Sequence, residues 1–130
     1  MKHKSVLAKL YFSLIHADNK MNEREVALGR QMVHCEGLSE SSFNSEVAAL
    51  SAKSSQIIFR EIVEGLKRFE PALQIRCIAW MCVIANADGF MDKKEWQFIY
   101  QLYHKELNLP LDQIMRVQNE LIKLVHQGTH

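Results

Sequence analysis

Acidic side chains recur at one spacing in two segments of this 130-residue chain. Residues 17–29 read ADNKMNEREVALG, and residues 87–99 read ADGFMDKKEWQFI, so the second copy follows the first by 70 positions. Each copy places an aspartate after an alanine and a glutamate seven positions further on. The acidic residues that could act as ligands are Asp18, Glu25, Asp88, Asp92 and Glu95. Carboxylates are ligands for divalent cations, but they also stabilise turns and helix starts.

Helix-start chemistry explains part of the repeat. Asn22 and Asp92 are good N-cap residues, because their side-chain oxygens can accept a hydrogen bond from an N–H of the first turn. A glutamate follows each cap by three positions, at Glu25 and Glu95, which is the spacing of a capping box. The sequence therefore predicts that a helix begins after each of these two caps.

The aspartates at the front of each copy are not explained by capping. Asp18 and Asp88 each follow an apolar helical run, where the helix macrodipole disfavours a carboxylate by about 0.3–1 kcal/mol. One interpretation is an Asx-turn, in which the carboxylate accepts backbone N–H groups. The other is a divalent cation, Ca²⁺, Mg²⁺ or Zn²⁺, held by these aspartates with the glutamates or the cap carboxylate. Both interpretations remain open at this point.

The second copy invites comparison with an EF-hand, the helix-loop-helix calcium site. If Glu95 were the last ligand of such a loop, the first ligand would fall at Ile84, which has no oxygen on its side chain. An apolar helix occupies the first part of the loop. An ordinary EF-hand is therefore excluded, whereas a site that combines carboxylates from both copies is not.

Composition limits the classes of partner. The formal net charge is +1, so no overall field favours nucleic acid or an anionic membrane. Basic residues cluster in the middle of the chain but alternate with glutamates, which favours a solvated face of mixed charge over a phosphate-binding track. These basic residues are Lys53, Arg60, Lys67, Arg68 and Arg76. We expect a soluble, cytoplasmic protein without membrane insertion, in which Cys77 and Cys82 are buried.

Apolar residues recur at helical spacing along the whole chain, and no segment shows the alternation of a strand. The sequence predicts an all-α bundle of about seven helices. The predicted helices are 4–17, Asn22–Cys35, one from Ser39 or Ser41, one from Ser54 or Ser55 to Arg68, Pro71–Ala87, 92–106 and 111–126. The helix that starts at Pro71 is apolar on almost every side and is expected in the middle of the bundle. Trp80 and Trp96 are expected in the core.

The paired motif, Ala-Asp followed by an apolar residue and then a glutamate, resembles the TerB-like family. This family is named for tellurite-resistance proteins and includes a domain of the DjlA co-chaperone. The resemblance covers nearly the whole chain. It implies a single helical domain over residues 1–130, with pseudo-repeats at about 5–50 and 73–126. It also implies an acidic surface, carried here by Asp18, Glu25, Asp88 and Glu95.

The resemblance and the residues together suggest a small non-catalytic interaction or sensor module connected with tellurite or metal stress. Its acidic face would bind a divalent cation or a partner protein, such as a membrane-associated stress complex. The alternative is a metal-dependent hydrolase on a helical bundle, although no nucleophile motif or paired metal-binding histidines are present. No certain cofactor and no nucleic-acid partner are expected, and the oligomeric state is left open.

Overall fold

The structure is a computed structural model that describes residues 3–17, 22–87, 89 and 92–127. Seven α-helices and no strand occur in this part of the chain, as the all-α prediction requires. The helices are α1 (Lys4–Ile15), α2 (Glu23–Cys35), α3 (Glu40–Ala49), α4 (Ser55–Lys67), α5 (Pro71–Ala85), α6 (Lys93–Tyr100) and α7 (Leu111–Gln127). A short 3₁₀ turn, Leu50–Ala52, follows α3, and a π-helix, Gln101–Glu106, continues α6.

Polar caps and one proline set where the helices begin. Ser39 Oγ accepts the N–H of Ser42 at the start of α3, and Ser54 Oγ accepts the N–H of Ile57 at the start of α4. Pro71 occupies the first turn of α5, where its missing N–H costs nothing. The predicted starts of these helices are therefore confirmed.

The ends of the helices are also close to the predictions. The first and fifth helices end two residues earlier than predicted, at Ile15 and Ala85. The predicted stop after α2 is confirmed, because Gly37 adopts a φ of 70°. This left-handed turn lets the N–H of Leu38 reach the carbonyl of Val33 at 2.9 Å, which satisfies an end carbonyl of the helix.

Helix α5 lies in the middle of the bundle and contacts α1, α2, α6 and α7. Its side chains from Cys77 to Ala85 are all buried, and Trp80 is fully enclosed. This arrangement explains why its apolar residues occur on almost every side instead of forming one stripe. The predicted central position of this helix and the predicted burial of Trp80 are confirmed.

The π-helix accounts for one extra residue in the second copy of the repeat. In each copy, an N-cap residue begins the helix and a residue with positive φ follows its end. These two residues are fifteen positions apart in the first copy, Asn22 and Gly37, but sixteen apart in the second, Asp92 and Asn108. In the second copy, Leu109 donates to the carbonyl of Tyr103, one residue further back than the equivalent bond of the first copy. A π-helix absorbs such an insertion within a helix. Equivalent residues of the two copies are 70 positions apart at the helix starts and are therefore 71 positions apart after the helix ends.

Trp96 was predicted in the core, and that prediction is wrong. Its side chain is 37 % exposed, whereas Ile99, on the inward side of the same helix, is fully buried. The indole instead packs beside Tyr100 and Tyr103, with ring centroids 6.1 and 6.0 Å away. Helix α6 lies at the edge of the bundle, so only a narrow stripe of it faces the core.

One close approach depends on the lack of a side chain at Gly29. A Cβ added at this position of α2 would lie 2.6 Å from Cε1 of Tyr11, closer than atoms in contact can approach. The Tyr11 ring is itself buried and packs beside Phe43 at a centroid distance of 5.9 Å. The ring therefore has little room to move away from an added methyl group.

We expect Gly29→Ala to lower the free energy of unfolding by about 1–2 kcal/mol, because the cost of overpacking exceeds the gain in helix propensity. Urea unfolding would measure the change. The double variant Tyr11→Leu, Gly29→Ala should lose less than the sum of the single variants, since leucine relieves the contact. Strictly additive losses would show that the contact does not limit this site.

Candidate acidic site

The first acidic segment leads into α2 and the second leads into α6, so Asn22 and Asp92 lie at helix starts. Asn22 Oδ1 accepts the N–H of Arg24 at 2.8 Å, and Asp92 Oδ1 accepts the N–H of Lys94 at 2.8 Å. The two caps have the same bond at the same position of their helices. The capping interpretation of these two residues is therefore confirmed.

The glutamates three positions after the caps are buried in both copies. Glu25 is 5 % exposed and Glu95 is 3 % exposed, and both take part in polar interactions. Burial raises the pKa of the Tyr11 hydroxyl, and the negative charge of Glu25 raises it further. Burial of a carboxylate costs free energy unless polar partners compensate it. The sequence predicted glutamates that support the helix starts, but it did not predict that both would be enclosed.

The five predicted ligands are thus only partly described. Glu25, Asp92 and Glu95 lie within the described residues, whereas Asp18 and Asp88 lie outside them. Among the described histidine, cysteine, aspartate and glutamate side chains, no group of three or more is placed to hold a metal ion. A cation site would therefore need Asp18 or Asp88, and it stays a prediction.

A third buried carboxylate, that of Glu36, forms an ion pair that sequence reasoning missed. Glu36, at the end of α2, has a side chain only 4 % exposed. The Arg76 guanidinium of α5 donates to it from Nη2 at 2.7 Å and from Nε at 2.9 Å. His3 Nε2 lies 3.1 Å from the other carboxylate oxygen. The pair therefore ties the beginning of α1 and the end of α2 to the central helix.

Opposing effects act on the pKa of Glu36. Burial raises this pKa, but the hydrogen bonds and charge of Arg76 outweigh burial, with smaller contributions from Trp80 and His3, so the net pKa is lowered. The indole of Trp80 also lowers the pKa of Glu36, although its Nε1–H makes no hydrogen bond of ordinary length and angle within the described structure. The carboxylate is therefore ionised at neutral pH and held by its partners.

The basic residues of the middle segment do not share one environment. Lys53 donates to Glu61 at 2.9 Å, and Lys9 lies 3.6 Å from the same carboxylate, which agrees with the predicted face of mixed charge. Arg76 departs from that prediction, because it reaches inward to Glu36. A periodic pattern cannot show which arginine has a distant acidic partner, and here 40 positions separate the two residues.

The predicted burial of two of the three cysteines is confirmed. Cys77 and Cys82 are buried, and burial raises the pKa of each thiol to about 12. Cys35 is partly exposed, and burial raises its pKa as well. Because the thiolate is the reactive form, these positions are poorly suited to thiol-based detoxification.

We expect iodoacetamide at pH 8 to leave Cys77 and Cys82 unmodified in the folded protein and to label both after unfolding in urea. Mass spectrometry of the intact protein and of its peptides would show which thiols react. Cys35, the partly exposed thiol, is the internal reference and should react first. Rapid labelling of Cys77 or Cys82 under native conditions would contradict their enclosure.

The cap at Asp92 permits a test that separates the cap hydrogen bond from the negative charge of the side chain. Asp92→Ala should lower the free energy of unfolding by about 1 kcal/mol, because the bond to Lys94 is lost. Asp92→Asn should cost only a few tenths of a kcal/mol, since the first copy already has asparagine at the equivalent cap, Asn22. Urea unfolding of both variants would compare these losses. Equal losses would mean that the charge, and not the cap bond, stabilises this helix start.

Comparison with known families agrees with this architecture. A sequence model described as tellurite resistance protein TerB matches residues 4–119. The chain therefore belongs to the TerB family, an all-helical class of domain, and the resemblance inferred from the repeat is confirmed. No significant match is found among curated proteins or among solved structures. In the part of the chain that is described, no helix is long and apolar enough to cross a membrane.

Proposed function

We propose that this TerB domain is a non-catalytic, cytoplasmic sensor or interaction module that acts in the response to metal or tellurite stress. Its repeated acidic segments, residues 17–25 and 87–95, bind a divalent cation or a basic surface of a partner protein. The observation that carries the proposal is the buried glutamate at the same helix position in both copies. Neither the described residues nor the family match supports a metal-dependent hydrolase.

The equivalence of the two copies is closer than helix capping requires. A cap needs one oxygen on its side chain, and both copies supply it through Asn22 and Asp92. A capping-box glutamate works equally well on an exposed helix, yet Glu25 and Glu95 are both enclosed. Both take part in polar interactions at the start of their helices. Buried and partnered carboxylates of this kind give a binding segment the support that it needs to keep one geometry.

Each carboxylate has a separate role in this proposal. Asp18 and Asp88 provide the primary oxygen ligands, and the second oxygen of Asp92 adds to the second copy while its Oδ1 caps the helix. Glu25 and Glu95 hold the segments in place or complete the coordination. An oxygen-rich set of this kind favours Ca²⁺ or Mg²⁺ over Zn²⁺, which prefers nitrogen and sulfur ligands.

Thermal unfolding with added Ca²⁺, Mg²⁺ or Zn²⁺ tests the cation-binding form of the proposal. A cation that binds only the folded state should raise the free energy of unfolding by about 2.7 kcal/mol at a hundred times its Kd. The variant Asp18→Asn, Asp88→Asn should abolish that gain. A matched control, Asp112→Asn with Glu120→Gln, removes the same charge from α7 and should keep it. Equal responses in both variants would overturn the assignment of the cation to these segments.

A further inference from the structure

An aromatic groove opens where the end of α1, the start of α4 and α6 meet. Its volume is about 450 Å³, within the range of small-molecule binding sites. The apolar walls are Phe12 of α1, Ile58 and Phe59 of α4, and Phe98 of α6. None of the described acidic residues of the repeat, Glu25, Asp92 and Glu95, lines the groove, so the groove is a different candidate site from the one proposed above.

The packing of two antiparallel helices creates the groove. A Cβ added at Gly65, near the end of α4, would meet Val6, near the start of α1. Further along, Lys9 and Glu61 form an ion pair at 3.6 Å. The last turn of α1 therefore lies beside the first turn of α4, and Phe98 of α6 closes one side.

The walls are suited to an apolar chain or ring. Phe59 and Phe98 lie with their centroids 6.4 Å apart in an edge-to-face arrangement, which holds both rings in defined positions. Phe12 is stacked on His16 at 4.2 Å. Both Phe59 and Phe98 remain partly exposed, so a ligand in the groove would remove more of their apolar surface from water.

Polar side chains also line the groove, and two basic residues lie one helical turn from its lining. His16 lines the groove, and its Nδ1 donates to the carbonyl of Phe12 at 2.9 Å. Arg60 and Lys94 lie one helical turn from the lining residues Gln56 and Phe98, on the same sides of their helices. Neither forms an ion pair with any described residue.

We propose that this groove binds a small amphiphilic carboxylate, with its apolar chain between the aromatic walls and its carboxylate towards the two basic residues. The carboxylate would be attracted by the positive charges of Arg60 and Lys94. A partner helix fits less well, because it is rigid and the lining part of α4, Ser55–Phe59, spans only about 6 Å, whereas a flexible alkyl chain can bend within a groove of about 450 Å³. Helix-in-groove binding uses anchors at i, i+3 or i+4 and i+7, which extend over about 10 Å.

Amide-resolved NMR titration with decanoate, below the concentration at which it forms micelles, tests the proposal on the full chain. We expect saturable shifts for residues around Phe12, Phe59 and Phe98. Phe98→Ala should weaken binding about tenfold, since an aromatic wall is lost. Phe69→Ala is the matched control, because Phe69 is also a partly buried phenylalanine but lies outside the groove. It should leave the decanoate affinity unchanged.

Head-group chemistry provides a second comparison. Decanol should bind several-fold more weakly than decanoate, and Arg60→Gln with Lys94→Gln should reduce that difference without changing decanol binding. Shifts that do not saturate, or full affinity in Phe98→Ala, would overturn the proposal. Equal affinities of decanoate and decanol would overturn the role of the carboxylate. If only an acidic amphipathic helical peptide shifts these residues, the groove is a peptide site and the proposal is wrong.

Discussion

Replacement of Arg76 by methionine is expected to lower the free energy of unfolding by about 2–3 kcal/mol at pH 7. The substitution keeps an apolar stem of similar length but leaves the carboxylate of Glu36 enclosed without its guanidinium partner. Loss of one partner from a fully buried pair costs about 3–5 kcal/mol. A smaller loss is expected here because the Arg76 side chain is 37 % exposed.

The loss of stability in Arg76→Met should depend on pH and should be larger at neutral pH than at acidic pH. In the natural protein the pKa of Glu36 is lowered, so its contribution to stability is complete above the ordinary carboxyl pKa and is lost as pH falls through the lowered value. Without Arg76, burial would dominate and raise this pKa, so the enclosed charge would be unfavourable at neutral pH. The difference in stability between the two proteins should therefore be larger at pH 7 than at pH 3.5.

Urea unfolding at both pH values measures this difference. Arg60→Met is the matched control, because Arg60 is exposed and forms no ion pair with a described residue. It should change the free energy of unfolding by less than about 0.5 kcal/mol. The double variant Glu36→Leu, Arg76→Met should regain much of the loss, since no charge remains buried. A loss in Arg76→Met that is the same at both pH values would contradict the assigned ion pair.

The second large effect is expected at the buried glutamates of the repeat. Glu95→Leu should lower the free energy of unfolding by about 2–3 kcal/mol, because the polar interaction in which this buried carboxylate takes part is lost. Glu25→Leu should have a similar cost, since the two residues share a helix position and a similar degree of burial. The corresponding glutamine variants keep an acceptor of the same shape and should lose about 1 kcal/mol.

An exposed glutamate in the same helix turn provides the control. Glu23 lies in the first turn of α2 but is exposed, so Glu23→Leu should change stability by less than about 0.5 kcal/mol. Thermal and urea unfolding of the set would separate burial from the general effect of negative charge at a helix start. If Glu95→Leu were as stable as Glu23→Leu, Glu95 would not support the acidic segment.

Local chemistry made most of the helix boundaries predictable. Caps and breakers act within a few residues, so Asn22, Ser54 and Pro71 mark helix starts, and Gly37 marks a helix end, without knowledge of the rest of the fold. The apolar character of the fifth helix likewise required a central position. These features depend on hydrogen bonds and burial that the sequence expresses directly.

Features that depend on distant packing were not predictable in the same way. Periodicity assigns Trp96 to an apolar stripe but does not show how wide a stripe the bundle covers. The π-helix follows from an inserted residue that becomes visible only when Gly37 and Asn108 are compared. The pairing of Glu36 with Arg76 joins two helices, and no local pattern distinguishes Arg76 from its solvated neighbours.

The most direct test of the central claim, that the duplicated acidic segments bind a divalent cation, is amide-resolved NMR titration with Ca²⁺, Mg²⁺ and Zn²⁺. The proposal predicts saturable shifts confined to residues 16–25 and 86–95, with none in Asp18→Asn, Asp88→Asn. The α7 control variant, Asp112→Asn with Glu120→Gln, should show the same shifts as the natural protein. No shift in either segment at millimolar cation would contradict a cation site there.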